Sequence, residues 1–209
     1  MSETGSASAS PLVLVTAAGA SRRMGTCKAL LELDGACAFE WIARAAHAAD
    51  PSARVVLVTG ADDAAIRARA ARSSERVECL HNPDWERGRA GGLALAARRF
   101  PRTDALVWPV DCPRVGAATI RALGERWAEL GEPARGWLAP TLRGAVPARY
   151  GHPIWVGREL LSELGALGPD TPLSALRARA FPLAALETAD ARVLEDFDSP
   201  ADLPSPGAR

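Results

Sequence analysis

The chain has 209 residues, 48 % of them hydrophobic and 24 % charged, and its formal net charge at pH 7 is zero. This length fits one α/β domain that can bury a full sheet beneath helices. The balanced charge argues against non-specific binding to nucleic acid or to an anionic membrane surface, and no apolar stretch approaches the roughly 20 residues of a membrane-spanning helix. We therefore expect neither a nucleic-acid nor a membrane partner.

The two ends of the chain are expected to lie outside the folded domain. Residues 1–10 are rich in Ser and Ala and have no basic n-region or long apolar h-region, which predicts a disordered tail and no signal peptide. Residues 204–209 form a second tail. Four scattered cysteines form no Cys-x-x-Cys pair, as is typical of reduced thiols in a cytoplasmic protein. We expect one domain over residues 11–203.

Apolar runs alternate with helical periodicity as far as residue 130. Four runs predict buried parallel strands, at Leu12–Thr16, Arg54–Thr59, Val77–His81 and Asp104–Val110. Helical spacing and capping residues predict helices over Gly35–Ala49, from Asp62 or Asp63 to about Arg72, over Leu93–Phe100 and over Gly116–Leu130. This alternation predicts a Rossmann-like, doubly wound, mostly parallel sheet with helices on both faces.

The second half of the chain is less regular. Short strands are expected at Gly136–Pro140 and Ala145–Tyr150, either as an antiparallel pair or as an extension of a sheet edge. Helices are expected over Gly157–Leu164 and Pro172–Ala180, and a last strand over Phe181–Leu186. No internal repeat is present.

The only lysine of the chain is Lys28, because the other 24 of the 25 basic residues are arginines. It ends a Gly-rich loop after the first strand, Ala17-Ala18-Gly19-Ala20-Ser21-Arg22-Arg23-Met24-Gly25-Thr26-Cys27-Lys28. Glycines let backbone N–H groups approach phosphate oxygens, Arg22 can hold a pyrophosphate bidentately, and Lys28 supplies a movable point charge. The spacing is neither GxxxxGK[ST] nor GxGxxG, so a P-loop and a dinucleotide-dependent oxidoreductase are disfavoured.

Three aspartates are candidate metal ligands. Asp111 follows the fourth strand, at the carboxyl end where ligands bind in open α/β sheets. Mg²⁺ needs only one or two protein carboxylates when phosphate oxygens and waters complete its shell, and Asp196 or Asp198 could supply the second. Alternative roles are a helix cap for Asp111 and a turn or N-cap for the other two.

These motifs resemble those of the nucleotidyltransferases that activate molybdenum cofactor and of related NTP:phosphate nucleotidyltransferases. The match starts in the first loop and ends near Leu203, through Asn82-Pro83-Asp84-Trp85 to Gly88, Asp111-Cys112-Pro113, Gly151-His152-Pro153 and Asp196-Phe197-Asp198-Ser199-Pro200-Ala201-Asp202-Leu203. The resemblance implies a nucleotide-diphospho-sugar transferase-like fold. It also implies Mg²⁺, or Mn²⁺, as cofactor and CTP or another NTP as co-substrate.

The resemblance also implies a role for each matched residue. Lys28, Arg22 and Asp111 would be catalytic, and His152 would bind the acceptor. The metal ligands would be Asp111, Asp196 and Asp198. The nucleotide-binding residues would be Ala17, Ala18, Gly19, Ser21, Gly25, Asn82, Gly88, Gly91 and Gly92. His152 could instead be a satisfied loop histidine, and Asn82 could simply stabilise the turn before Pro83.

The substrates follow from smaller features of the same motifs. Ala-Ala-Gly in the first loop and Gly-His-Pro favour cytosine, so the expected activity is CTP:molybdopterin cytidylyltransferase. Two segments depart from the family pattern, Arg89-Ala90-Gly91-Gly92 and Gly168-Pro169-Asp170-Thr171-Pro172-Leu173. Two alternatives therefore stay open. The acceptor could be a sugar or alcohol phosphate, or the chain could be a non-catalytic nucleotide-binding accessory protein that serves a molybdoenzyme or its chaperone.

Overall fold

The computed structural model describes residues 10–21, 24–167 and 171–202. The predicted tails fall almost entirely outside these residues, as does Arg22. The strands are β1 (Leu12–Ala17), β2 (Glu32–Leu33), β3 (Ala36–Cys37), β4 (Arg54–Thr59), β5 (Glu78–His81), β6 (Ala105–Pro109), β7 (Trp137–Leu142), β8 (Ile154–Val156) and β9 (Leu183–Thr188). The α-helices are α1 (Ala38–Ala49), α2 (Asp63–Ala70), α3 (Arg89–Arg99), α4 (Ala117–Glu129) and α5 (Arg158–Ser162).

Seven of the described strands form one sheet in the order β5-β4-β1-β6-β8-β7-β9. β1 pairs in parallel with β4 and β6, β4 pairs in parallel with β5, and β7 pairs in parallel with β9. β8 is antiparallel to both of its neighbours, β6 and β7. The chain order reverses between β1 and β6, which is the switch point where ligands bind in doubly wound sheets. The predicted fold class is confirmed.

The centre of the sheet is buried on both faces because β1, β4 and β6 each contain an unbroken run of apolar residues. In β1, Val13 and Val15 pack on the side of α1 and α4, whereas Leu12 and Leu14 pack on the side of α3 and α5. Strand side chains alternate between the two faces, so one apolar run serves two core layers. The carboxyl ends of β1, β4 and β6 are thereby held as a fixed platform.

The observed elements correct several predicted boundaries. Ala145–Tyr150 is not a strand: only Tyr150 makes an isolated bridge, to Thr141. The antiparallel strand is β8 instead. The β2–β3 hairpin occupies the start of the helix predicted from Gly35, and α3 starts four residues before the predicted Leu93. Pro172–Ala180 is a 3-10 turn over Leu173–Arg179.

No helix in the described part of the chain is both long enough and apolar enough to cross a membrane.

Candidate active site

The first loop is held closed by Ser21. Its carbonyl oxygen accepts the N–H groups of Met24 (2.9 Å) and Gly25 (3.1 Å), and its Oγ accepts the N–H of Lys28 (3.1 Å). Ser21 and Gly25 both have positive φ, at 48° and 72°, a region that glycine adopts freely. The loop therefore turns back sharply and brings Lys28 to the carboxyl edge of the sheet.

Lys28 joins two of the three predicted metal ligands. Its Nζ donates to Asp198 Oδ1 at 2.5 Å and to Asp111 Oδ2 at 3.4 Å. The Lys28 side chain is only 15 % exposed, whereas those of Asp111 and Asp198 are 27 % and 40 % exposed. Two carboxylates that are distant in the sequence thus share one cation, in a position that solvent reaches.

Phe197 fixes the closing segment onto the first loop. It is buried in a small apolar cluster with Met24 and Leu33, and its N–H donates to the carbonyl oxygen of Asp111 at 2.9 Å. The spacing of Asp196 and Asp198 around Phe197 explains why Asp198 can face Lys28 while Phe197 points inward. The role of Met24 could not be inferred from the sequence, because nothing in a loop motif indicates a partner more than 170 residues away.

His152 lies within electrostatic range of Asp111 and Asp196. Its N–H donates to the carbonyl oxygen of Val193 at 2.8 Å, and a side chain at Gly151 would clash with that oxygen. Burial lowers the pKa of His152, although the charges of Asp111 and Asp196 oppose the shift. Nδ1 is buried without a partner in the described structure. The imidazole is therefore neutral near pH 7 and lies beside the acidic groups.

The first loop also lies close to the segment from Asn82 to Gly88, the second predicted nucleotide-binding loop. Gly60 lies between the two loops. A Cβ at Gly60 would clash with the carbonyl oxygen of Ala18 and would lie 2.6 Å from Cβ of Trp85. The N–H of Ala61 donates to the same Ala18 oxygen at 3.3 Å. Gly60 therefore allows two loops to meet that a larger residue would hold apart, a requirement the sequence does not reveal.

Asn82 faces the start of α3. It is 4 % exposed, its N–H donates to Thr59 O at 2.9 Å, and its Nδ2 has no partner in the described structure. A Cβ at Gly91 or Gly92 would lie 3.6 or 3.7 Å from that Nδ2. Three predicted nucleotide-binding residues therefore lie together, and a fourth, Gly88, whose φ is 125°, immediately precedes α3.

The carboxylates fit a divalent cation only in combination with a substrate. No group of three or more His, Cys, Asp or Glu side chains in the described ranges is close enough to hold a metal ion. Asp111 and Asp198 nevertheless already share the ammonium of Lys28, so both can reach a single cation. This matches Mg²⁺, which retains waters and phosphate oxygens in most of its positions.

The cysteines beside the motifs are unsuited to nucleophilic catalysis. Burial raises the pKa of Cys27 to about 11. Burial also raises the pKa of Cys112, and the negative charges of Asp111 and Asp196 add to that shift. Since the thiolate is the reactive form, both thiols are inert at neutral pH.

A cavity of about 340 Å³ lies away from these groups, at the amino edge of the sheet. Its lining includes Leu12, Ala53, Asp104 and Trp127, which stand at or near the amino ends of β1, β4 and β6 or on α4. No loop residue of the candidate site lines it. This cavity is therefore not the candidate active site. The candidate site is located by the charged groups that converge at the carboxyl edge of the sheet.

Residues 13–188 match the family of the MobA-like NTP transferase domain. The structure is similar to that of Rv0371c from Mycobacterium tuberculosis H37Rv, at 28 % identity and a TM-score of 0.71 over 92 % of this chain and 95 % of that one. A structure of the same mycobacterial protein in complex with manganese matches at 25 % identity and a TM-score of 0.66, over the same shares of the two chains.

A third likeness is to molybdopterin-guanine dinucleotide biosynthesis protein A from Archaeoglobus fulgidus, with a TM-score of 0.66 over 91 % of this chain and 94 % of that one. At 16 % identity it concerns the fold alone. No curated protein is significantly similar in sequence. Because the family match spans most of the sheet and both loops at its carboxyl edge, the chain belongs to the family of MobA-like NTP transferase domains.

Proposed function

We propose that this chain transfers a nucleotidyl group, preferably CMP from CTP, to a phosphorylated acceptor with release of pyrophosphate, and that the acceptor is molybdopterin. The observation that carries the proposal is the contact of Lys28 with both Asp111 and Asp198 beside the glycine-containing first loop. A cation and two carboxylates at the switch point suit a triphosphate with its divalent metal.

Asp111 and Asp198 would hold the divalent cation, which when bound would neutralise phosphate charge and stabilise the charge that develops at the α-phosphorus. Lys28 would then turn from the carboxylates to the triphosphate, as its flexible stem allows. The manganese complex of the mycobacterial relative supports this part of the proposal.

The reaction needs no protein nucleophile. An oxygen of the acceptor phosphate forms a bond to the α-phosphorus, while the bond from that phosphorus to the bridging oxygen breaks and its electron pair leaves with pyrophosphate. A phosphate monoester is already largely dianionic near neutral pH, so no general base is required. The protonated thiols of Cys27 and Cys112 and the neutral His152 are consistent with a site that works by positioning and charge.

The choice of CTP rests on the resemblance of two motifs, Ala17-Ala18-Gly19 and Gly151-His152-Pro153. Asn82 supports a nucleoside site in a more general way, since its buried amide lies against Gly91 and Gly92 with Nδ2 unpaired in the described structure. Buried polar groups normally have partners, and a nucleoside that displaced the local packing slightly would supply one.

The test is pyrophosphate release from CTP, GTP, ATP and UTP with Mg²⁺, each with and without molybdopterin. Release with CTP only in the presence of molybdopterin is the expected result. Release that requires a sugar or alcohol phosphate instead would replace the acceptor. Saturable nucleotide binding without release under any condition would overturn the proposal in favour of an accessory binding protein.

A further inference from the structure

Arg177 lies against the aromatic face of Tyr150. The guanidinium carbon is 4.5 Å from the ring centroid, well within the range of a cation–π contact. Its Nε is buried and has no hydrogen-bond acceptor in the described structure. No carboxylate among the described residues forms a salt bridge with this guanidinium, so a ring and not a counter-ion sets its orientation.

Both members of this pair are held in place from behind. Leu176 is fully buried in the core layer that contains α3 and α5, and it anchors the 3-10 turn that carries Arg177. Tyr150 forms an antiparallel bridge with Thr141 near the carboxyl end of β7. Tyr150 nevertheless stays 47 % exposed. The pair is thus a fixed feature that solvent and ligands can reach.

The pair lies at the same edge of the sheet as the candidate active site. Because β8 is antiparallel to both β6 and β7, the carboxyl ends of β6 and β7 share that edge. Tyr150 bridges Thr141 near the carboxyl end of β7, and Asp111 follows β6. Arg177 therefore stands over the segment that leads into His152, on the substrate side of the sheet.

Two further arginines lie on the segment that carries Tyr150. Arg143 and Arg149, on the same segment, are exposed, and like Arg177 they form no salt bridge with any described carboxylate. Many other arginines of the chain do form a salt bridge, as Arg158 does with Asp104. A cluster of uncompensated cations beside a site for phosphate chemistry favours an anionic ligand.

We propose that Arg177, oriented by Tyr150, binds the phosphate group of the acceptor and presents it to the site of Lys28 and Asp111. This inference rests on the proposed function. A guanidinium can bind a phosphate bidentately through its terminal nitrogens, and stacking on Tyr150 reduces the freedom that binding must remove. Arg177 is then the residue that distinguishes phosphorylated acceptors from neutral ones.

The chain offers a direct probe, because Tyr150 is its only tyrosine. Protein produced with 3-fluorotyrosine has one fluorine resonance, beside the guanidinium of Arg177. We expect titration with inorganic phosphate to shift this resonance saturably in the full chain. The shift should disappear in Arg177→Met, which keeps the apolar stem, and should persist with weaker affinity in Arg177→Lys. It should also persist in Lys28→Ala, which removes the cation proposed to bind the triphosphate.

Steady-state kinetics provide a second measurement, which distinguishes failure of the proposed nucleotidyl transfer from failure of the proposed phosphate site at Arg177. With CTP and molybdopterin, Arg177→Met should raise KM for molybdopterin by about 10- to 100-fold, the range for losing a charged hydrogen bond, and leave KM for CTP unchanged. If no nucleotide transfer occurs at all, yet the phosphate shift depends on Arg177, the proposed function fails and the anion site stands. A missing phosphate shift, or one that survives in Arg177→Met, overturns the inference even if transfer is normal.

Discussion

Lys28 is the residue on which the proposed chemistry of the site depends. Its ammonium lies between Asp111 and Asp198, at 3.4 and 2.5 Å, where a divalent cation would likewise reduce the repulsion between the two carboxylates. The Lys28 ammonium and a divalent cation would therefore compete for the same two carboxylates. A bound triphosphate would end this competition by giving the ammonium other anionic partners. On the proposed function, the site would therefore admit a divalent metal most readily together with the nucleotide.

Replacement of Lys28 by alanine should consequently have opposite effects on metal binding and on turnover. Without nucleotide, Lys28→Ala should bind Mn²⁺ several-fold more tightly, because the competing ammonium is gone. Pyrophosphate release should fall by roughly 10²- to 10³-fold, the scale for losing one preorganised charge-stabilising donor. Electron paramagnetic resonance of free Mn²⁺ measures the first effect.

Lys28→Arg is the matched control, since it keeps the charge. It should bind Mn²⁺ about as weakly as the wild type in the absence of nucleotide. Weaker Mn²⁺ binding by Lys28→Ala would show that the lysine assists the metal and does not compete with it, and near-normal turnover would remove Lys28 from the catalytic set.

At this scale the sequence indicates which residues carry charge but not how they are held. Lys28 stands out in the sequence because it is unique, and Asp111 because it follows a buried strand. The choice between Asp196 and Asp198 as the neighbour of Lys28 depends on Phe197, which contacts Met24 and Leu33. The positive φ of Ser21 leaves no sequence signal either, because serine rarely adopts it.

Among the elements, the turn from Ala191 to Leu194 positions His152, through the hydrogen bond of its backbone N–H to the carbonyl oxygen of Val193. Asp190 precedes it and accepts hydrogen bonds from the N–H of Gly116 (2.9 Å), from Thr119 Oγ1 (3.1 Å) and from Arg192 Nε (2.6 Å). One carboxylate thereby ties the start of α4 to the turn that supports His152. Burial opposes ionisation of Asp190, but these hydrogen bonds outweigh it and lower its pKa.

Asp190→Ala should therefore destabilise the fold by about 2 to 3 kcal/mol near pH 7, since it leaves charged and buried donors unpaired. The folded carboxyl has a lower pKa than an unfolded Asp, at about 3.9. Its contribution is thus complete above about pH 4 and is lost as the pH falls further. Urea unfolding of both proteins between pH 7 and pH 3 measures the difference.

Glu129→Ala is the control, because Glu129 pairs with Arg126 at 2.9 Å but is 63 % exposed. Exposed pairs contribute about 0–1 kcal/mol. An Asp190→Ala effect no larger than that of Glu129→Ala, or one that grows on acidification, would contradict the role assigned to Asp190.

Two glycines test the packing of the same region. Gly151→Ala should cost about 1 to 3 kcal/mol, the range for an overpacked position, because its Cβ would clash with the carbonyl oxygen of Val193. It should also reduce turnover by displacing His152. Gly124→Ala, in open space on α4, should instead gain about 0.5 to 1 kcal/mol. Equal unfolding free energies for the two variants would refute the close contact at Gly151.

The central strands could be predicted because a strand that is buried on both faces has an uninterrupted run of apolar residues, as β1 and β4 do. The short antiparallel β8 could not, since three apolar residues after Gly151-His152-Pro153 fit a loop equally well. Ala145–Tyr150 was wrongly predicted as a strand: Pro147 cannot donate a ladder hydrogen bond, and only Tyr150 reaches the neighbouring strand.

For the whole molecule, the essential feature is that one edge of the sheet gathers segments from across the sequence. Lys28 follows β1, Asn82 follows β5, Asp111 follows β6 and Asp198 follows β9 in the chain. Parallel strands whose order reverses between β1 and β6 bring these ends together. Sequence pattern predicts such a sheet, whereas contacts across it, such as that of Gly60 with Ala18, depend on packing that no local pattern encodes.

The central claim is that the site transfers the nucleotidyl group and not a phosphate. The most direct test follows the label from CTP carrying ³²P at either the α- or the γ-phosphorus, with Mg²⁺ and molybdopterin. We predict that α-label enters the acceptor product, that γ-label leaves in pyrophosphate, and that Asp111→Asn abolishes both. Transfer of γ-label to the acceptor, or release of α-label only as free CMP, would contradict the account.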